Sequence, residues 1–438
     1  MSVLRHPLPT TSAPETTPDR TRRPRVAVLV DLELSPTAGG HVKCWESLGA
    51  AAARHPDRLD LTLFFSGTTE ARRPVAANVV QHVLPPVLST RRLPLMSHLP
   101  DHTDLGRHHR RLARLLGGFD LIHTTDGFFC FARTALRVAA RTGQPVVNSI
   151  HTDTPGYARI FTRRTVERWL GDTWAAKALL DGLGVDGVAE RRALRDLARH
   201  QARCAHALVS RPDEMERALA VLPEERVGYL GRGIDRDLFH PARRDRAWLE
   251  ATFGVPQDRV VALFVGRLNR GKSVMTAARA LRGALDRGLP LHLFCAGAGE
   301  DRARILDLLG PHATCPGVLD RPTLARIYAG ADLFLMPSGV EVFGNVAQEA
   351  LAAGLPVLVN GRSGMGRLVA PGRTGLVLDG DDPAAWTAAV ADLAADRDRL
   401  AALGRAARAS AEADLRSWDD VLLEDLLPVW RRALGDPG

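Results

Sequence analysis

The sequence predicts an α/β protein of two doubly wound domains. Three observations carry that prediction. Apolar strand-like runs alternate with amphipathic helical stretches, the pattern of parallel sheets covered by helices on both faces. The alternation runs twice, before and after a turn-rich stretch at 226–241. The length, 438 residues, exceeds one ordinary domain and suits two.

The elements follow in order. Residues 1–24 hold Pro, Thr and Arg but no apolar core, and read as a disordered leader rather than a signal peptide. The first domain is expected over 25–225. It opens with the strand RVAVLVD (25–31), and a helix starts at Gly39-Gly40. Strands follow at LDLTLFF (59–65), DLIHT (120–124), PVVNSIHT (145–152) and HALVS (206–210), with helices between. The junction reads RVGYLGRGIDRDLFHP, where Gly231 and Gly233 read as a tight turn needing positive φ. The second domain is expected over 226–415. Its strands are RVVALFVG (259–266), LHLFCAG (291–297), DLFLMPS (332–338) and PVLVN (356–360). From about residue 383 the Ala- and Arg-rich chain reads as helices, closing with SWDDVLLEDLLPVWRRAL inside a terminal segment at 416–438.

Composition narrows the function classes. No apolar run approaches the roughly 18 residues that span a bilayer. Five scattered cysteines without CxxC spacing argue for reduced thiols in a cytoplasm and against a zinc site. The net charge is +8, and it is one-sided: residues 1–225 hold 31 Lys and Arg against 24 Asp and Glu. Such a field suits an anionic membrane surface, an acidic substrate or nucleic acid. Nucleic acid ranks last, because aromatics are few and no nucleic-acid motif is present. The stretch GRHHRRLARLLGG (106–118) sets Leu112, Leu115 and Leu116 beside four arginines. That suits an anionic interface or a solvated helix face.

Five stretches can carry chemistry. SGVEVFGNVAQEALAAGLPVLV (338–359) places Glu341 in a loop after a strand and Glu349 inside the helix that follows. A helix start offers free N–H groups and a positive dipole end to a phosphate. Two carboxylates flanking it fit a sugar nucleotide, with hexose hydroxyls at one end and ribose hydroxyls at the other. The alternative is a capping Glu341 and a solvated Glu349. FVGRLNRGKS (264–273) sets Arg267 and Lys272 in a strand-end loop, suited to a diphosphate, without the spacing of a Walker A loop. Asp235 and Asp237 resemble a metal-binding Asp-x-Asp, but Asp235 reads as a turn cap. Gly39-Gly40 permits close approach of a ligand to the backbone. His123 and His151 both end strands, where ligands of such sheets bind.

In their order and spacing these stretches resemble the retaining GT-B glycosyltransferases of family 4, over about residues 25–435. GRGID…LFHP and HTD…Y are similar to the branch that transfers mannosyl and related hexosyl groups to lipids. The resemblance implies two Rossmann-like domains facing a cleft, with the C-terminal helix crossing back onto the first. It implies transfer of a hexose from a UDP- or GDP-linked donor to an acceptor hydroxyl, on a lipid, a glycolipid or polysaccharide precursor, or a soluble small molecule. It implies diphosphate binding by Arg267 and Lys272, with Gly266 beside them. Glu341 would hold the transferred sugar, and the turn of Phe343, Gly344, Asn345 and Val346 would meet sugar and phosphate. Glu349 would bind the ribose, Gly317 would lie at the base, Gly40 beside the diphosphate and acceptor, and His151 near the anomeric centre. No metal or other cofactor is expected. A cytoplasmic protein, peripheral at the inner membrane face, would fit. Two positions depart from the family: Ser273 follows Lys272 where glycine is frequent, and Arg367 replaces a frequent Glu. A nucleotide-sugar sensor without catalysis is the competing class. The intact Arg267, Lys272, Glu341 and Glu349 speak against it.

Overall fold

A computed structural model of the chain describes residues 23–35, 38–92, 103–151, 153–339 and 344–436. Most of the expected leader therefore lies outside the described residues.

Two sheets organise the molecule. The first holds β1 (Arg25–Glu33), β2 (Asp60–Ser66), β3 (Ala71–Ala76), β4 (Val79–Leu84), β5 (Leu121–Thr124), β6 (Val146–Ser149), β7 (His206–Val209) and β8 (Val227–Tyr229). Their order is β3-β4-β2-β1-β5-β6-β7-β8. The second holds β9 (Val260–Val265), β10 (Leu291–Ala296), β11 (Ala313–Gly317), β12 (Leu333–Met336), β13 (Val357–Asn360) and β14 (Gly375–Leu378), in the order β11-β10-β9-β12-β13-β14. All pairs are parallel except β3 with β4. The near-continuous apolar runs explain this: all six residues of β9 and of β10 are buried, as a strand covered on both faces requires.

Helices cover both sheets. On the first are α1 (Gly40–Ala53), α2 (Arg110–Leu116), α3 (Cys130–Thr142), α4 (Thr154–Leu170), α5 (Trp174–Lys177), α6 (Val185–Gln201) and α7 (Pro212–Leu219). With the second are α8 (Arg246–Phe253), α9 (Val274–Leu285), α10 (Arg302–Leu309), α11 (Arg321–Gly330), α12 (Asn345–Ala352), α13 (Pro383–Ala395) and α14 (Arg397–Asp414). The last helical stretch, 418–433, returns to the first domain. Its Trp418, Val421, Leu422, Leu426 and Trp430 share one buried cluster with Val28 of β1 and Trp45 of α1. The two-domain α/β architecture with a terminal crossover is thus the one expected.

Several details differ from the sequence reading. β8 pairs with β7, so the first sheet keeps the chain to Tyr229, past the expected boundary at 225. The β3–β4 hairpin escaped notice because ARRPVA is polar and carries Pro74, which suits an edge strand. Gly231 and Gly233 do not adopt positive φ. Their smallness serves close packing instead: a Cβ on Gly233 would stand 2.6 Å from the Trp418 backbone, and Gly231 N–H donates to Asp425 Oδ2 at 2.7 Å. The chain therefore leaves and re-enters the first domain side by side, Ile234 bridging Ser417. Leu112 and Leu116 of α2 are fully buried, and Leu115 packs on the same core. The apolar side of 106–118 thus faces inward, away from any membrane.

Candidate functional site

In each sheet the strand order reverses once, between β1 and β5 and between β9 and β12. A crevice opens at such a point beyond the C-terminal strand ends, because the flanking helices go to opposite faces. The loops after these strands bear the residues singled out in the sequence.

β9 ends at Gly266 (φ 150°). A Cβ on Gly297, at the end of β10, would overlap Gly266 O, and Gly297 N–H donates to Gly317 O at 2.8 Å. Gly266, Gly297 and Gly317 thus form a row of bare backbone across three strand ends, a surface on which a flat ring can lie. Sequence reading found the outer two and missed Gly297, although it ends the run LHLFCAG. Arg267 is exposed and Lys272 is half-buried on the next turn. Asn269 caps that turn by accepting from Lys272 N–H at 3.2 Å. Burial, with the neighbouring Arg267 charge, lowers the Lys272 ammonium to about 8.

Ser273 follows at φ 50°, among the described residues the sole non-glycine in the left-handed region. The departure from a frequent glycine therefore carries backbone strain. Ser273→Gly is expected to stabilise the protein by about 1 kcal/mol, read as a higher denaturant midpoint. An unchanged or lower midpoint would contradict this.

After β12, Glu341 and Phe343 lie outside the described residues. The chain resumes at Gly344, the N-cap of α12, at φ 65°. A Cβ there would also overlap Met365 Cγ, and Met365 is fully buried. Gly344→Ala is expected to cost about 2–4 kcal/mol, from left-handed strain plus overpacking. Urea unfolding checks it; a cost within about 0.5 kcal/mol, the size of an ordinary surface change, would count against this geometry. No side chain of the described residues caps α12. Asn345 Oδ1 is buried without a hydrogen-bond partner among the described residues. Across the cleft, a Cβ on Gly40 would stand 3.5 Å from Asn345 Nδ2, so the first residues of α1 and α12 lie close together.

Farther along α12, Val346 O accepts from the Tyr328 hydroxyl at 3.2 Å. Burial pushes the Glu349 carboxyl up to about 7, opposed by the Arg321 charge and a hydrogen bond to Tyr328. Arg321 itself donates to Ser47 Oγ of α1 at 2.7 Å, which ties the two domains beside Glu349.

The first domain contributes a buried cluster of rings. Trp430 of the terminal stretch donates to His123 Nδ1 at 2.9 Å. His123 then carries its proton on Nε2 and donates to Ser149 Oγ at 2.7 Å. His151 Nε2 lies 2.8 Å from Ser149 Oγ and 3.2 Å from Trp45 Nε1. Arg232 Nη1, which can only donate, meets the other ring nitrogen, His151 Nδ1, at 3.2 Å. His41 stacks on His151 with centroids 4.6 Å apart, and its Nε2 is buried without a partner among the described residues. Burial lowers His41 and His123 to about 3 and holds His151 well below its usual value, so all three rings are neutral near pH 7.

The structure thus gathers Gly40 and His151 from one domain, and Gly266, Arg267, Lys272, Gly317, Gly344, Asn345, Val346 and Glu349 from the other, at facing strand ends. His41 and Arg232 were not singled out. The first directly follows Gly39-Gly40, a pair that signalled close approach, and the second sits inside GRGID, which read only as a tight turn. His123 is buried behind His151 and does not reach the cleft itself. Asp235 accepts from Leu238 N–H at 2.9 Å, a turn cap. Arg367 is exposed in the turn Gly364–Leu368.

Residues 247–410 match the family described as glycosyl transferases group 1. The chain is 33% identical over 349 residues to a GDP-mannose-dependent alpha-mannosyltransferase of Mycolicibacterium smegmatis, covering 79% of this chain and 82% of that one. It is 31% identical over 313 residues to a D-inositol 3-phosphate glycosyltransferase of Thermobispora bispora, covering 66% of each. In fold it is similar to sucrose-phosphate synthase from Thermosynechococcus elongatus, with a TM-score of 0.65 at 21% identity over 94% of this chain and 100% of that one.

Proposed function

We propose, from the premise that this chain belongs to the glycosyl transferases group 1 family, that it moves a hexose from a nucleoside-diphosphate sugar to an acceptor hydroxyl with retention of configuration. The observation that carries the reading is a polar atom in each domain, His41 Nε2 and Asn345 Oδ1, buried near a helix N-terminus without a hydrogen-bond partner among the described residues. Buried polar atoms are almost always hydrogen-bonded, so a polar ligand between the domains is the natural partner.

The surrounding chemistry fits that ligand. Arg267, Lys272 and the α12 N-terminus hold positive charge where a diphosphate would depart, so negative charge growing on the leaving group is stabilised in place. They offset the diphosphate charge with no metal ion. Glu349, ionised, would accept hydrogen bonds from a ribose diol. Gly266, Gly297 and Gly317 would carry the base. The neutral His151, held against Arg232, would lie beside a sugar hydroxyl near the anomeric carbon. A buried neutral ring is a poor general base here, which suits a reaction in which the departing phosphate oxygen takes the acceptor's proton on the same face. Glu341 would complete the sugar contacts. Closure of the domains on the donor would exclude water.

For the donor, likeness to the mannosyltransferase supports a GDP-linked hexose, with a UDP-linked one next. For the acceptor we favour a lipid or glycolipid at the inner membrane face. Five buried free thiols accord with a cytoplasmic setting, and no helix of the described residues is long and apolar enough to cross a membrane. Likeness to the D-inositol 3-phosphate glycosyltransferase supports a second reading, a soluble small-molecule acceptor. The test is incubation with UDP-, GDP- and dTDP-sugars in EDTA, with proton NMR of the freed or transferred sugar. One donor turned over with its anomeric configuration kept would support the reading. Inversion, or turnover only with added metal, would sink it.

A further inference from the structure

Helices α4 and α6 form an antiparallel hairpin standing off the first sheet. Arg163 meets Asp186 at 3.1 Å and Arg159 meets Glu190 at 3.4 Å, which sets residues 171–183 at the tip. Trp174 is 83% exposed, Leu183 69% and Trp169 55%. Of the thirteen large apolar side chains exposed among the described residues, seven lie between 157 and 188, so exposure concentrates on this one feature. Tyr157, Ile160, Arg164 and Arg168 recur at helical spacing and share one side of α4. Arg164 and Arg168 are exposed and make no ion pair with the described residues, unlike Arg159 and Arg163, which the hairpin consumes internally.

We propose that this face of the hairpin docks on an anionic lipid bilayer. Exposed tryptophans are favoured at the depth of the headgroups, where the ring is half apolar and half wet. Arg164 and Arg168, on the side of α4 that exposes Tyr157 and Ile160, add attraction to anionic lipid. Of the exposed charges on this feature, Asp172 pairs with Lys177 and Asp181 lies by Arg163, which leaves Arg164 and Arg168 against Glu167, a net positive balance that favours anionic lipid over another protein surface. The position is functional: α4 starts three residues after His151, so the docked face leads directly to the cleft. The proposal rests on the lipid-acceptor reading for its purpose, and on the hairpin alone for its geometry.

The experiment is co-sedimentation of the full chain with phosphatidylcholine vesicles, with and without phosphatidylglycerol. Wild type is expected to sediment only with the anionic vesicles. Trp169→Ala/Trp174→Ala and Arg164→Glu/Arg168→Glu are each expected to weaken that partition by about tenfold or more. Both pairs are exposed, and donor binding in solution by the same variants should stay within about twofold, well under the tenfold effect on lipid. Wild type left in the supernatant, or variants sedimenting like wild type, would overturn the proposal. So would light scattering that shows a dimer dissolved by Trp174→Ala, since a second copy would then cover the tip. Failure of wild type to bind any donor sinks the transferase reading instead, whatever the vesicles show.

Discussion

Lys272→Ala is expected to lower kcat/KM by about 10²–10³-fold, with the larger part in kcat. In the proposed reaction the ammonium would sit where charge grows on the departing diphosphate, and its contribution would be greatest in the transition state. The same change should not weaken the fold. Folding buries Lys272 beside Arg267 and lowers it from 10.5 to about 8, so its charged form is disfavoured in the empty site. Below pH 8 the native state therefore carries a cost that the unfolded chain does not, and removing the group removes the cost. The variant should unfold at an equal or higher denaturant midpoint while losing turnover. Turnover within about threefold of wild type would contradict the assignment, because a transition-state cation is worth far more. So would loss of turnover accompanied by loss of stability.

Donor affinity is expected to follow a bell-shaped pH profile with limbs near 7 and 8. Burial raises Glu349 to about 7, so below that pH the empty site holds a neutral carboxyl. A ribose diol donates hydrogen bonds to a carboxylate, and binding must first remove the proton. Affinity then falls by about tenfold per pH unit below the lower limb. Above about 8 the Lys272 charge is lost and the diphosphate loses its partner. The neighbouring histidines supply no limb, since burial keeps His41, His123 and His151 neutral throughout this range. Glu349→Gln should flatten the acid limb and Lys272→Arg should push the alkaline limb upward. Titration with a nucleotide sugar, which has no phosphate group titrating here, reads both limbs. A flat profile between pH 5.5 and 9 would exclude this charge arrangement. In the empty protein the sign is opposite on the acid side. The unfolded carboxyl ionises near 4.5 and the folded one near 7, so stability falls as pH rises between them.

The sequence carried the fold through its buried strands, because a strand covered on both faces must be apolar throughout, as β9 and β10 are. It was weaker at edges. β3 and β8 meet solvent or the domain junction, and their polar residues and glycines conceal them. In the site, strand-end loops were legible from glycines and from paired charges. What could not be read was contact between distant segments. The chain from Trp430 through His123 and Ser149 to His151 spans 307 residues in its first hydrogen bond alone. The stacking of His41 on His151 likewise follows from two strand ends meeting, not from any local pattern. Gly233 shows the same limit: glycine signals permissiveness, but only packing tells a close approach from a positive φ.

In the proposed function the cleft would bind a nucleoside-diphosphate sugar between Lys272 and Glu349. Calorimetric titration of GDP- and UDP-hexoses in EDTA, against wild type, Lys272→Ala and Glu349→Gln at pH 7.5, tests it most directly. One donor is expected to bind wild type, and each variant is expected to weaken that binding by about tenfold or more. Binding that both variants leave unchanged, or no binding of any donor, would contradict it.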